Sequence, residues 1–217
     1  MLFSGGLDSA VLLADACAQG TGRTVQPIYV SAGLAWEGVE LATATRLLQA
    51  APYAGKALSL AFLSVDMRDV YPATHWAVQG AAPGYHTPDR DVYIEGRNVV
   101  LLAKASVYMA RAGAARVLLG TLAGNPFPDA TPAFFDAMSR ALSLGLGTPI
   151  GIEAPFASMQ KSDVIRLGQR LGVPLELTMS CMQPQQGMHC GRCSKCRERE
   201  EAFRQAGGAG PAPRAGR

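Results

Sequence analysis

A chain of 217 residues is the length of one α/β domain with a small appendage, and 48% hydrophobic against 17% charged residues supplies a sheet buried on both faces. A net charge of +3 is too small to argue by itself for nucleic acid. No apolar run is long enough for a transmembrane helix, and the N-terminus lacks the pattern of a signal peptide, so a cytoplasmic location without a membrane partner is expected.

The first element is the end of a strand, Leu2-Phe3. It has almost no length: either the sheet begins at its last residues or the strand starts further upstream. Ser4-Gly5-Gly6-Leu7-Asp8-Ser9 follows, a glycine-rich turn between an apolar strand end and an apolar helix. Glycines let the backbone turn sharply and approach a ligand. The helix aims its free N–H groups and the positive end of its dipole at whatever sits in the turn. Ser4 and Ser9 add hydroxyls, so a pyrophosphate or triphosphate is the expected occupant. The turn lacks the lysine of a Walker loop and the three-glycine spacing of the dinucleotide fingerprint.

Residues 9–19 read as a helix that is apolar nearly all round and therefore buried, with Cys17 inside it as packing. Residues 25–30 are a strand. Residues 38–51 are a helix with Val39, Leu41, Leu47 and Leu48 as buried candidates, ended by Pro52. Residues 58–65 are a third strand. Residues 66–95, with His75, Trp76, His86 and Arg90, form a long polar loop of the kind that is functional or mobile. A helix over 97–112 places Val100, Leu101, Ala105 and Tyr108 on one side. A fourth strand, 117–120, ends in Gly-Thr; a helix over 134–144, a strand over 150–154 and a helix over 162–171 follow, the last stopped by Gly172. The alternation predicts a doubly wound, parallel, five-stranded α/β sheet whose ligand sits at the carboxyl ends of the strands. The boundaries read as a nucleotide-binding domain over 1–175, a cysteine motif and helix over 176–206, and a disordered Gly/Ala/Pro/Arg tail over 207–217.

Cys181, Cys190, Cys193 and Cys196 fall within sixteen residues. Four thiolates at this spacing suit a closed tetrahedral zinc site, with Zn–S distances of roughly 2.3 Å, that holds shape and does no chemistry. An iron–sulfur cluster is the alternative, and a redox dithiol the weaker one because it needs only two cysteines. His189 adjoins the cluster and reads as an outer neighbour or a solvent-facing side chain.

The loop resembles the SGGxDS pyrophosphate loop of the N-type ATP pyrophosphatases (the PP-loop superfamily). Further along come Lys161-Ser162-Asp163-Val164-Ile165, Leu171-Gly172-Val173-Pro174-Leu175, Thr178-Met179-Ser180-Cys181 and His189-Cys190-Gly191-Arg192-Cys193-Ser194-Lys195-Cys196-Arg197. With Gly96-Arg97-Asn98 and Phe127-Pro128-Asp129, this order resembles the 7-cyano-7-deazaguanine synthase family over nearly the whole chain. The resemblance implies an ATP-dependent carbon–nitrogen ligase of queuosine biosynthesis that acts on a small carboxylate and ammonia. It also implies Mg²⁺ and a homodimer, with no direct contact to nucleic acid. Phe3, Ser4, Gly5, Gly6, Leu7, Asp8, Ser9 and Ala10 would hold the nucleotide, with Asp8 touching Mg²⁺ directly or through water. Lys161 and Arg97 are the further catalytic candidates, the first as a point charge on phosphate and the second as a planar clamp. Asn98 and Asp129 are substrate candidates.

Three stretches depart from the family pattern. Ser31-Ala32-Gly33-Leu34-Ala35-Trp36-Glu37 stands where the family carries Tyr-Gly-Gln-Arg-His; Ala130-Thr131 follows Pro-Asp without the usual arginine; and Met182 follows Ser-Cys. Two alternatives therefore stay open beside the main reading. One is a related adenylating enzyme acting on another carboxylate or amide or on tRNA. The other is a non-catalytic nucleotide-binding module whose zinc knuckle contacts a partner. For the second, Arg192, Lys195, Arg197, Arg199 and Arg204 form a basic cluster, but the interleaved Glu198, Glu200 and Glu201 read as a solvated helix face.

Overall fold

The computed structural model describes residues 1–19 and 24–208, so residues 209–217 of the expected tail lie outside the described residues. Among the described residues, four parallel strands are β1 (Ile28–Ser31), β2 (Ala61–Ser64), β3 (Arg116–Leu118) and β4 (Gly151–Glu153). β1 pairs with β2, with Ile28 opposite Ala61, and β3 pairs with β4, with Arg116 opposite Gly151. Residues 1–3 join the two pairs. Leu2 forms a parallel bridge to Ile28, the Phe3 N–H donates to the Ile28 carbonyl at 2.8 Å, and the Leu2 N–H donates to the Leu118 carbonyl at 2.9 Å. The order is therefore β2, β1, residues 1–3, β3, β4, with the first strand reduced to a single bridge.

Side chains alternate between the two faces as the period of a strand demands. Phe3 and Leu118 face a core built with α1 (Leu7–Gln19), α2 (Glu37–Leu47) and α6 (Lys161–Arg170). Leu2, Ile28, Val30, Val117 and Leu119 face the other core, built with α4 (Arg97–Arg111) and α5 (Pro132–Leu146). Each fully buried Leu, Ile or Phe here contributes about 1.5–3 kcal/mol of apolar burial. None of the helices among the described residues is long and apolar enough to cross a membrane.

Several expected faces are rotated. In α4 the buried stripe is Leu102, Ala105, Ser106 and Met109, one position on from Leu101 and Tyr108. In α2 only Leu47 of the four candidates is buried, beside Ala44, Thr43 and Glu37. The polar stretch 66–95 packs. It carries α3 (Trp76–Gln79) and a 3-10 turn, Asp89–Val92, and buries Tyr71, Ala77, Val92 and Ile94 against Leu34, Trp36 and Met182. Trp36 and Trp76 stack at 5.6 Å. Pro and polar residues dominate its composition, whereas a few aromatic anchors decide its packing.

The last helix, α7 (Ser194–Gln205), is not a solvated face. Arg199 is buried, donating to the Leu175 carbonyl at 2.7 Å and to Thr178 Oγ1 at 2.8 Å, with its guanidinium over the Phe203 ring. Burial lowers its pKa to about 10.

Candidate nucleotide site and cysteine centre

The turn after residues 1–3 is held from within. Ser4 Oγ accepts the Gly6 N–H at 3.2 Å, and the Ser9 hydroxyl donates to the Gly6 carbonyl at 3.0 Å. Gly5 has φ +75°, and a Cβ there would lie 2.8 Å from the Ala44 nitrogen of α2. No side chain fits that position. The first helical bond runs from the Ala10 N–H to the Gly6 carbonyl, so the amides of Leu7, Asp8 and Ser9 have no intrahelical acceptor. Leu7 and Ala10 turn their side chains into the core and offer the site only backbone.

The loop forms one wall of a cavity of about 220 Å³. Phe3, Ser4, Gly6, Asp8 and Ser9 meet Arg97 and Asn98 there. The cavity also contains residues for which no role was read in the sequence: Tyr29 from β1, Glu40 from α2, and Thr121 beyond the end of β3. Gly-Thr at a strand end was the signal available for Thr121. Tyr29 and Glu40 look like ordinary strand and helix residues, and only the packing of α2 on β1 brings them to the loop. Three buried polar atoms of this lining lack a hydrogen-bond partner among the described residues: Asp8 Oδ1, Arg97 Nε and Thr121 Oγ1. Buried polar atoms are almost always paired, so a hydroxyl, a guanidinium N–H and a carboxyl oxygen left free around one cavity fit a polyanionic ligand with its cation.

Lys161 does not line the cavity. Its ammonium donates to Asp8 Oδ2 at 3.2 Å and to Glu198 Oε1 at 2.5 Å, and Glu198 also accepts from Lys195 at 2.6 Å. Burial alone would lower the Lys161 pKa, but the two carboxylates outweigh it and hold it above the usual lysine value. Asp129 also lies outside the lining. It is buried, and its Oδ2 accepts the Asn98 N–H at 3.0 Å while its carbonyl accepts from Asn98 Nδ2 at 3.0 Å. It caps α4, whose own N-cap is Gly96. Glu37, in the stretch that departs from the family pattern, closes the turn after β1. Its carboxylate accepts from the Ser31 hydroxyl at 2.6 Å and from the Ala32 and Gly33 amides at 2.8 and 3.1 Å.

The Sγ atoms of Cys181, Cys190, Cys193 and Cys196 lie within 4.8 Å of one another. Cys181–Cys193, Cys190–Cys196 and Cys193–Cys196 are separated by 3.9, 4.0 and 3.4 Å. Tetrahedral thiolates on zinc stand about 3.8 Å apart, so the four sulfurs fit one metal ion such as zinc. The Gln183 and Cys190 amides donate to Cys181 Sγ at 3.3 Å. His189 is buried, not solvent-facing, and its Nε2 accepts the Ser180 N–H at 3.2 Å.

Fold and site together define an α/β protein with a glycine-rich loop at the carboxyl end of a parallel sheet and a four-cysteine cluster that could bind a metal. The chain belongs to the family described as queuosine biosynthesis protein QueC, whose profile matches residues 1–207. It is 34% identical to the 7-cyano-7-deazaguanine synthase of Anaeromyxobacter dehalogenans, over 95% of this chain and 91% of that one. The enzymes of the same name from Caldicellulosiruptor bescii and Methanospirillum hungatei are each 33% identical, covering 95% and 98% of this chain and 92% and 97% of theirs.

Proposed function

We propose that this chain is an ATP-dependent ligase that converts 7-carboxy-7-deazaguanine and ammonia to 7-cyano-7-deazaguanine. A carboxylate is a poor electrophile. Transfer of AMP from ATP to its oxygen, with release of pyrophosphate, turns that oxygen into a leaving group. Ammonia then adds at the carbon, AMP departs, and the amide is left. A second adenylation at the amide oxygen, followed by loss of AMP and of both N–H protons, gives the nitrile.

In this reading the free amides of Leu7, Asp8 and Ser9, the turn at Gly5 and Gly6, and the Ser4 and Ser9 hydroxyls hold the phosphates. Phe3 walls the same cavity, and Ala10 completes the first helical turn. Asp8, whose Oδ1 has no partner among the described residues, would hold Mg²⁺, which would supply charge neutralisation on the phosphate oxygens. Lys161 fixes the other Asp8 oxygen and so sets the direction of the free one. Arg97, with its Nε free, clamps the acceptor carboxylate. Asn98 flanks it, and Asp129 positions both by holding the first turn of α4. Cys181, Cys190, Cys193 and Cys196 would hold zinc, which would keep the segment after α6 in shape.

The observation that carries this reading is the convergence of three unpaired polar atoms on one cavity beside the glycine loop. The test is release of AMP and pyrophosphate from ATP, Mg²⁺ and ammonium, with and without 7-carboxy-7-deazaguanine. Release is expected only with the acceptor. No AMP with any carboxylate acceptor, alongside ATP binding, overturns the reading. A homodimer and the absence of direct tRNA contact go with this proposal and are read by light scattering and gel shift.

A further inference from the structure

Glu40 sits on the first turns of α2, directly behind the phosphate loop: a Cβ placed on Gly5 would lie 3.2 Å from its carbonyl oxygen. Its side chain lines the same cavity as Ser4, Asp8 and Arg97. The Tyr29 hydroxyl donates to Glu40 Oε2 at 3.1 Å. That partner is neutral. The charged groups that face it are Arg97 across the cavity on α4 and Glu37 on its own helix. A carboxylate beside a polyanion site, without a cation bonded to it, is costly as a purely structural feature. Neither phosphate nor a carboxylate acceptor is a ligand for it. What it suits is a cationic or proton-bearing group.

Resting on the ligase reading above, we propose that Glu40 is the proton acceptor for the nitrogen nucleophile and that the Glu40–Tyr29 corner is its ammonium subsite. Ammonium has no free electron pair and cannot attack carbon. Glu40 takes one proton from ammonium, which becomes ammonia. The nitrogen pair forms the C–N bond to the acyl carbon, and the C–O bond to AMP breaks with its electrons going to AMP. The remaining excess proton on nitrogen passes to solvent after Glu40 has released its own. Burial pushes the Glu40 carboxyl up to about 7, offset in part by Arg97 and the Tyr29 hydroxyl and reinforced by Glu37. A base in that range matches the task near neutral pH.

The experiment compares wild type with Glu40→Gln in three readouts. Acceptor-dependent ATP–pyrophosphate exchange without ammonia reports adenylation and should stay within a few-fold of wild type. Ammonium-dependent product formation near neutral pH should fall roughly 100-fold. Hydroxylamine, which is already neutral there, should restore turnover through the hydroxamate. Tyr29→Phe is the second variant. It removes a hydrogen bond to the ionised carboxylate, so the acid limb of ammonium-dependent turnover should move to higher pH. Unchanged ammonium use in Glu40→Gln, an equal loss with hydroxylamine, or an unmoved acid limb in Tyr29→Phe overturns the proposal. Absence of acceptor-dependent exchange in the wild type instead removes the ligase reading, and this proposal with it.

Discussion

Glu40 has a thermodynamic signature independent of turnover. Its folded pKa is raised above the ordinary glutamate value, chiefly by burial, so the folded state binds a proton that the unfolded state has already lost. Stability from this group is therefore intact at pH 4 and declines as pH rises towards 7, beyond which the ionised form carries the full cost. Glu40→Gln should raise unfolding free energy at pH 8 by up to about 2–3 kcal/mol and leave it unchanged at pH 4, as read by urea denaturation. A gain at both pH values would show that packing, not charge, is responsible. Asp8 illustrates what sequence does convey at this scale. The Ser-Gly-Gly-x-Asp-Ser pattern places a carboxylate in the first helical turn, where local chemistry alone marks it. That one of its oxygens is tied to Lys161, 153 residues away, is legible only in the packed molecule.

At the scale of elements, α1 and α6 approach because Gly168 lets them. A Cβ there would lie 2.7 Å from Val11 Cγ2 and 3.0 Å from Leu175 Cδ2. Gly168→Ala forces the helices apart and should cost about 1–3 kcal/mol, seen as a lower urea midpoint with unchanged slope. The existence of nearly every helix and strand was legible, because periodicity is a property of ten or fifteen consecutive residues. Ends and faces were less so. α5 opens at Pro132, two residues before the apolar pattern, since the Thr131 hydroxyl accepts the Phe134 N–H at 3.2 Å and proline suits the first helical position. α4 is turned by one position because Ser106 takes a buried place that hydropathy alone assigns to apolar neighbours.

Across the whole molecule, the four-cysteine cluster and the glycine loop are mechanically joined. The Met179 N–H donates to the Gly5 carbonyl at 3.0 Å, Ser194 N–H to the Pro83 carbonyl at 3.1 Å, and Glu198 of α7 reaches Asp8 through Lys161. Removing the metal should therefore reach the nucleotide. Chelated protein is expected to release about one zinc per chain and to bind ATP roughly tenfold more weakly by calorimetry, a typical coupling between linked sites. Unchanged ATP affinity after complete metal loss would show that the two units are energetically separate. Iron, with its visible absorption, would replace zinc in the assignment.

Short stretches of the chain encode the glycine turn between strand and helix, the four thiols within sixteen residues, and the alternation that makes a parallel sheet. These depend on backbone freedom, ligand spacing and period, all of which act over a few residues. Which side chains surround the loop depends on packing between distant segments. Arg97 and Glu40 face the cavity because α4 and α2 pack on opposite faces of a sheet whose first strand is a single bridge. Asp129 caps a helix instead of lining the cavity, and Arg199 is buried where charge patterning reads a solvated face. Contacts between residues far apart in the chain are fixed by how layers stack, and no local pattern carries that information.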